Sequence, residues 1–199
     1  MYAWRKMTFD QRTEAMKLRN VRRMPFHSPP HSREPGWHRY HLSAANFDHA
    51  PILGQTAERI TSFAAALCEV LGAKDVELFA WCVLPNHWHG LVGTDDLKEL
   101  LKAIAQLHGR SSFRWNGEET RRGRQCWHCC SDRRIRTDNH FHAARNYIHH
   151  NPVKHGYVKR WDEWPFSSAV DFLEEVGREK VAELWTTYPI LNMGESWDV

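Results

Sequence analysis

Trp81-Cys-Val-Leu-Pro-Asn-His-Trp-His-Gly-Leu-Val92 decides the fold of this chain. Val76 to Leu84 is apolar enough for a buried strand, Pro85-Asn86 is a turn or kink, and His87 to Val92 reads as another strand segment. Successive side chains of a strand point to opposite faces, so His87 and His89 share one face and Trp88 takes the other. Two imidazoles side by side on a rigid strand are half of a metal site.

Working outward, Trp37 to Phe47 reads as a first strand and Pro51 to Gln55 as a turn. Thr56 to Leu71 is an amphipathic helix, with Ile60, Phe63, Ala64, Leu67 and Leu71 at helical spacing and Gly72 closing it. Thr94 caps a second helix over Asp95 to Phe113, whose apolar face is Leu97, Leu100, Leu101, Ile104 and Leu107. Asn116 to Arg124 is a polar loop, and Gln125 to Arg136 is basic and strand-like. Asp138 caps a helix over Asn139 to His150, which Pro152 stops, leaving Asn151 at its very end. This order predicts an α+β fold: a ferredoxin-like antiparallel sheet with helices on one face, spanning 37–160. Before it lies a basic N-terminal arm (1–36), helical from Thr8 with Gln11 in a capping-box position, then proline-rich. After it lies an acidic, aromatic extension (161–199) with a helix near Ser168 to Val176, expected to pack back on the core.

The 199 residues suit one domain with extensions, and no apolar run approaches the roughly 20 residues of a membrane span. Met1 to Met24 is charged without an apolar signal core, which predicts a cytoplasmic protein, and five cysteines without a framework fit a reducing compartment. The net charge of +3 hides an uneven distribution. Residues 1–45 hold nine Lys/Arg against three Asp/Glu, and 102–160 hold thirteen against four; 46–101 and 161–199 are acidic. Two basic blocks of this kind are the footprint of a polyanion partner.

The later basic block contains Tyr147-Ile-His-His-Asn-Pro152. On a helix, His140, Ala144, Tyr147 and Asn151 share one face. Packed beside the His87/His89 strand, Asn151 completes a facial triad of two imidazoles and one amide oxygen, and Tyr147 faces whatever phosphate the site binds. Such a set suits a phosphodiester. A divalent ion polarises it as a Lewis acid, and the phenol attacks as a phenolate, which a nearby cation favours. The product is a covalent phosphotyrosine that keeps the bond energy for religation. Arg133, Arg134, Arg136, Arg145 and Lys154 are placed to hold the polyanion. His140, His149 and His150 flank the tyrosine as auxiliary candidates for proton relay or phosphate contact, although each alone reads more simply as packing. A lone His-x-His or a lone helical tyrosine says little; co-occurrence with a basic block gives them weight. Cys126, His128, Cys129 and Cys130 invite a zinc reading, but there is no second Cys-x-x-Cys, and a strand with partly buried thiols is the plainer account. Trp161 and Trp164-Pro-Phe read as packing ahead of base stacking.

Leu84-Pro-Asn-His-Trp-His-Gly-Leu-Val92, Ser131-Asp-Arg-Arg-Ile-Arg136, His140-Phe141, Tyr147-Ile-His-His-Asn-Pro-Val-Lys-His-Gly-Tyr-Val158 and Trp164-Pro-Phe-Ser-Ser168 together resemble the REP-associated tyrosine transposases, relatives of the single-tyrosine HUH transposases of small insertion sequences. The resemblance covers roughly 37–170, and one branch of that family is also similar in the arm from Arg5 to His31. It implies a ferredoxin-like nuclease core, Mg²⁺ or Mn²⁺ held by His87 and His89 with Asn151 as the polar ligand, and Tyr147 as nucleophile forming a 5′-phosphotyrosine on single-stranded DNA. It also implies recognition of imperfect hairpins of repetitive extragenic palindromes with a short flanking guide. Arg19, Arg22 and Arg23 are then candidates for gripping hairpin phosphates or reading guide bases, phosphates first. The family leans to monomers, whereas insertion-sequence relatives are dimers with shared sites. No nucleotide cofactor is expected, because the sequence contains no motor or ATP motif. Two rivals stay open: a module that binds hairpin DNA without cutting it, and a zinc-dependent hydrolase using His87 and His89 with the cysteines.

Overall fold

A computed structural model describes residues 36–190 and, in the arm, Thr8, Asp10, Gln11, Thr13, Glu14 and Lys17. The chain divides into two compact units, 34–193 and a smaller one made of 1–33 with 194–199. In the smaller unit the Thr8 amide donates to Gln11 Oε1 and the Gln11 amide donates to Thr8 Oγ1, the reciprocal bonds of a capping box. Arg19, Arg22 and Arg23 lie outside the described residues.

The larger unit is built on four strands, β1 (His38–Ala45), β2 (Val76–Leu84), β3 (His87–Thr94) and β4 (Ser131–Ile135), in the order β2-β3-β1-β4 with every neighbouring pair antiparallel. Three helices belong to this sheet: α1 (Ala57–Leu71), α2 (Leu97–Glu118) and α3 (Asp138–Lys154). Each strand–helix–strand unit leaves a gap that a strand of the other unit fills, which is the ferredoxin-like interleaving. Two short helices, α4 (Ala169–Val176) and α5 (Arg178–Thr187), follow, and α5 has no counterpart in the sequence expectation. No helix among the described residues is long and apolar enough to cross a membrane.

The expectation that the helices lie on one face needs correction. Tyr40, Leu42, Ala44, Val83, Trp88 and Val92 pack with α1 and α2. Ala80, Cys82, Leu84, Leu91 and Ile135 pack instead with Phe141, Ala144, Tyr147 and Ile148 of α3 on the other face. Strand alternation explains the division, and it puts His87 and His89 on the α3 side. The parity of β2 changes at a bulge between Leu78 and Ala80. Val76 and Leu78 face the α1/α2 layer before it, and Trp81 and Val83 do so after it.

Several boundaries also differ from expectation. Asp96, not Thr94, caps α2, its side chain accepting from the Glu99 amide, and Thr94 ends β3. The helix runs on to Glu118, taking in Asn116 of the expected loop, because Arg59 reaches its end. Arg59 is buried on α1 and binds Glu118 and Glu119 at 2.9 and 2.8 Å, the Ile52 carbonyl and Gln55. Only Ser131 to Ile135 of the basic segment is strand. Trp127 instead bridges Asn46 and stacks on His108 and Phe63 in the core.

Thr137 rather than Asp138 caps α3, and Pro152 does not stop it. A proline costs a helix one hydrogen bond and crowds the preceding turn, so near the C-terminus it is tolerated. The terminator is Gly156 at φ +73, whose amide reaches the Val153 carbonyl while that of Tyr157 reaches the Pro152 carbonyl. These paired bonds close a helix through a left-handed residue.

Residues 161–190 pack on α3 and on the open edge of β2. The Val83 amide donates to the Phe166 carbonyl, Trp164 Nε1 donates to the Val83 carbonyl, and Ser167 bridges Cys82. An unpaired strand edge is thereby covered. Buried Asn146 of α3 donates to the carbonyls of Leu184 and Tyr188, and buried His149 lies 3.0 Å from Ser168 Oγ. The helix carrying Tyr147 is thus held from both sides.

Candidate active site

β3 is the inner partner of both β1 and β2, with His89 opposite Ser43 and Cys82, and His87 opposite Ala45 and Leu84. Hydrogen bonding on both sides fixes the two imidazoles to the pleat. The hairpin turn is held too: the Gly54 amide donates to the Pro85 carbonyl, the Asn46 amide to the Asn86 carbonyl, and Asn86 Nδ2 to the His49 carbonyl. Gly54 has no alternative there, because a Cβ would stand 2.3 Å from that of Pro85.

α3 lays Tyr147 and Asn151, one turn apart, over this pair. The Tyr147 ring is edge-on to His89 with centroids 5.5 Å apart, and the His87 and His89 rings are 5.1 Å apart. Asn151 Oδ1 is 2.9 Å from His87 Nε2. Tyr147, His89 and Asn151 are at most 1% exposed. The structure therefore brings together the four residues the sequence singled out from two distant segments.

The hydrogen bonds of His87 bear on what this pocket can hold. Nε2 faces Asn151 Oδ1, and Nδ1 faces Asn86 Oδ1 at 2.7 Å. Burial pushes the imidazole pKa down to about 3, against the opposing effect of the Asn151 bond, so the ring is neutral at ordinary pH. A neutral imidazole has one N–H and cannot donate to both oxygens. With Nδ1–H donating to Asn86, the Nε2 lone pair and an amide oxygen lone pair point at each other. A cation held by His87 and Asn151 would remove that conflict, with Asn86 fixing the imidazole tautomer. Asn151 Nδ2 is buried without an acceptor among the described residues. Burial first, then neighbouring His87 and His41, hold the His89 pKa well below its usual value. Two neutral imidazoles and one amide oxygen are a donor set that a divalent metal ion fits.

Residues missed in the sequence complete this shell. His41, 2% exposed on β1, places Nε2 3.1 Å from His89 Nδ1. Its signal lay in alternation: Tyr40, Leu42 and Ala44 face α1 and α2, so His41 takes the other side of the central strand. Asn86 sat in the quoted motif as a turn residue only. His155, just beyond α3, has its ring 4.9 Å from that of His87.

The basic residues do not form one patch. Arg133 is cross-strand from His41 on the α3 side and is exposed. Arg134 points the other way, with Nη2 3.0 Å from His38 Nδ1, and Arg136 is exposed beyond the end of β4. Lys154 sets its Nζ 5.1 Å from the centre of the Tyr147 ring. Arg145 leaves the set: its guanidinium lies 4.1 Å over Phe172 and its Nε is buried, so it cements α3 to α4. His140 stays near His41 and Arg133, whereas His150 turns away from Tyr147 onto Trp185. His149 is core, bonded to Ser168.

The cysteine cluster does not come together. Cys126 is buried and donates to Asn116 Oδ1, Cys129 is exposed, and His128 accepts from the Asp48 amide. Among the described residues no three His, Cys, Asp or Glu side chains are placed to share a metal.

The model of the family described as "Transposase IS200 like" matches residues 38–151. The chain belongs to that family, among its REP-associated tyrosine transposases. The Escherichia coli K12 REP-associated tyrosine transposase is 32% identical over 117 residues, covering 52% of this chain and 60% of that one. A Haemophilus influenzae protein that bears the same name provisionally is 30% identical over 151 residues, covering 67% of this chain and 80% of its own. A solved REP-associated tyrosine transposase bound to a REP hairpin superposes with a TM-score of 0.56 at 21% identity, over 72% of this chain and 84% of that one, which is likeness of fold.

Proposed function

We propose that this protein is a metal-dependent endonuclease and strand transferase for single-stranded DNA, which binds hairpins of the repetitive extragenic palindrome type and cuts beside them through Tyr147. The observation that carries the reading is the meeting of Tyr147 and Asn151 with the His87/His89 pair across the sheet–helix interface. A solved family member with this fold is bound to a REP hairpin, which supports the choice of DNA.

His87, His89 and Asn151 would hold Mg²⁺ or Mn²⁺, which when bound supplies Lewis-acid polarisation of the scissile phosphate. The chain's own residues do the rest. Asn86 and His41 orient the two imidazoles through Nδ1. The Tyr147 oxygen attacks phosphorus as its phenol proton is given up to solvent, the P–O3′ bond breaks, and the 3′ oxygen takes a proton from solvent and leaves as a hydroxyl. The strand's 5′ end stays on the enzyme as a phosphotyrosine. Attack by another 3′ hydroxyl reverses the step and releases the phenol, so no external energy source is needed. Lys154 beside the phenol ring and Arg133 across from His41 supply positive charge on the two flanks.

The test is an SDS-resistant protein–DNA adduct, formed with hairpin DNA carrying single-stranded flanks and Mn²⁺, and absent in Tyr147→Phe. Wild-type protein that binds the hairpin and never forms the adduct would be a binding module on this fold.

A further inference from the structure

We infer that a second phosphate-binding subsite lies beside α3, turned away from Tyr147, and that it holds the backbone of the single strand flanking the hairpin. It rests on the DNA reading above and adds a place where the strand goes after the catalytic pocket. The feature is an open cavity of about 420 Å³ lined by His150, Val153, Lys159, Arg160, Trp161, Asp162 and Arg178. None of the sequence readings used Lys159, Arg160 or Arg178.

Its charge is cationic once internal pairs are removed. Arg160 and Asp162 neutralise each other in a two-bond pair, at 3.0 Å through Nε and 2.5 Å through Nη2. The nearby Glu163 carboxylate accepts from the Arg160 backbone amide at 3.1 Å and keeps its charge, so the three cations Lys159, Arg160 and Arg178 outnumber Asp162 and Glu163 by one. Lys159 and Arg178 are both exposed at the cavity wall, with His150 of α3 beside them. The wall behind is aromatic: Trp161 lines the cavity and stacks on Trp185 with centroids 5.6 Å apart. Two exposed cations and an aromatic wall match a phosphodiester with a base beside it.

Position selects DNA over a free anion. His150 and Val153 flank Asn151 in the sequence of α3, and at about 100° per residue they stand to one side of the face that carries Tyr147 and Asn151. Lys154, the residue after Val153 on α3, sets its Nζ over the Tyr147 ring. A strand leaving the catalytic pocket over the C-terminal turn of α3 meets Lys154 and then this cavity.

The experiment compares wild type with Lys159→Ala/Arg178→Ala on two probes, a hairpin with a single-stranded tail and the same hairpin without it, across a salt series. We expect the double variant to bind the tailed hairpin about ten-fold more weakly, with the log–log salt slope reduced by about 1.4, since each lost phosphate contact on a single strand removes about 0.7. Binding of the tail-less hairpin should be unchanged, which also reports that the variant is folded. Equal weakening on both probes, or on neither, overturns the subsite. So does saturable calorimetric binding of inorganic phosphate at micromolar concentration that the double variant loses, because the cavity would then be a free-anion site. Wild type that binds neither probe ends this inference and the proposed function together. A tail-dependent loss in the variant, with no covalent adduct from wild type, leaves the subsite standing and removes the nuclease reading.

Discussion

Nε2 of His41 lies 3.1 Å from Nδ1 of His89, both rings buried between β1, β3 and α3. The contact ties one nitrogen of a proposed ligand to the central strand and leaves ligation to Nε2. Partners of this kind orient a ligand and raise its basicity, and losing one typically costs about 10- to 100-fold in metal affinity. His41→Ala should therefore move the Mn²⁺ midpoint of adduct formation upward by that order while leaving hairpin affinity unchanged. A midpoint equal to wild type would mean that His41 only fills space.

Asn151→Ala separates two roles for the amide. Its oxygen faces His87 Nε2 and the residue is fully buried, so on the proposed reading it acts on the scissile phosphate through the ion rather than by direct contact. The variant should lose metal-dependent cleavage by two orders of magnitude or so, with hairpin binding in EDTA unaffected. Equal loss in both assays, with an unchanged circular dichroism spectrum, would make Asn151 a DNA contact.

The central features were legible because each rests on a short-range rule. The His-x-His pair follows from strand alternation, and the Tyr147/Asn151 face from helical spacing. What escaped depends on tertiary placement. The sheet has two helical faces because β3 lies inside it, and nothing local says whether α3 joins α1 and α2 or covers the opposite side. Pro152 looked like a terminator since local rules rate proline by its lost hydrogen bond, while Gly156, two turns of chain past Tyr147, holds the left-handed conformation that ends the helix. Arg145 looked like part of the DNA grip because charge predicts solvent, yet Phe141 and Phe172 draw its guanidinium inward. His41 was silent because its partner is 48 residues away.

Gly54 gives a test of how the turn supports the site. Its amide bonds the Pro85 carbonyl, and an added Cβ would be 2.6 Å from the Pro85 Cα, a backbone atom that cannot swing aside. Gly54→Ala must push the loop off the hairpin. Overpacking of this sort costs about 1–3 kcal/mol, and the displacement passes directly to Asn86 and His87. We expect a lower denaturant midpoint and a cleavage defect larger than the binding defect. Wild-type stability would show that the loop yields without strain.

His108 makes stability depend on mild acid. It is 7% exposed, accepts the Trp88 indole N–H at 3.0 Å and stacks on Trp127, so the folded protein holds it neutral; burial lowers its pKa from 6.5 to about 4. The unfolded chain binds this proton from about pH 6.5 downward, whereas the folded state resists until about pH 4. Between these values the unfolded state carries more protons, so stability is full above pH 6.5 and falls as pH drops through the window, by on the order of 3 kcal/mol for this group. His108→Gln keeps an acceptor for Trp88 without titrating, and should flatten the decline of unfolding free energy between pH 6.5 and 4 measured in urea. If the variant and wild type decline in parallel over that range, the acid sensitivity belongs to other groups and the buried imidazole contributes none of it.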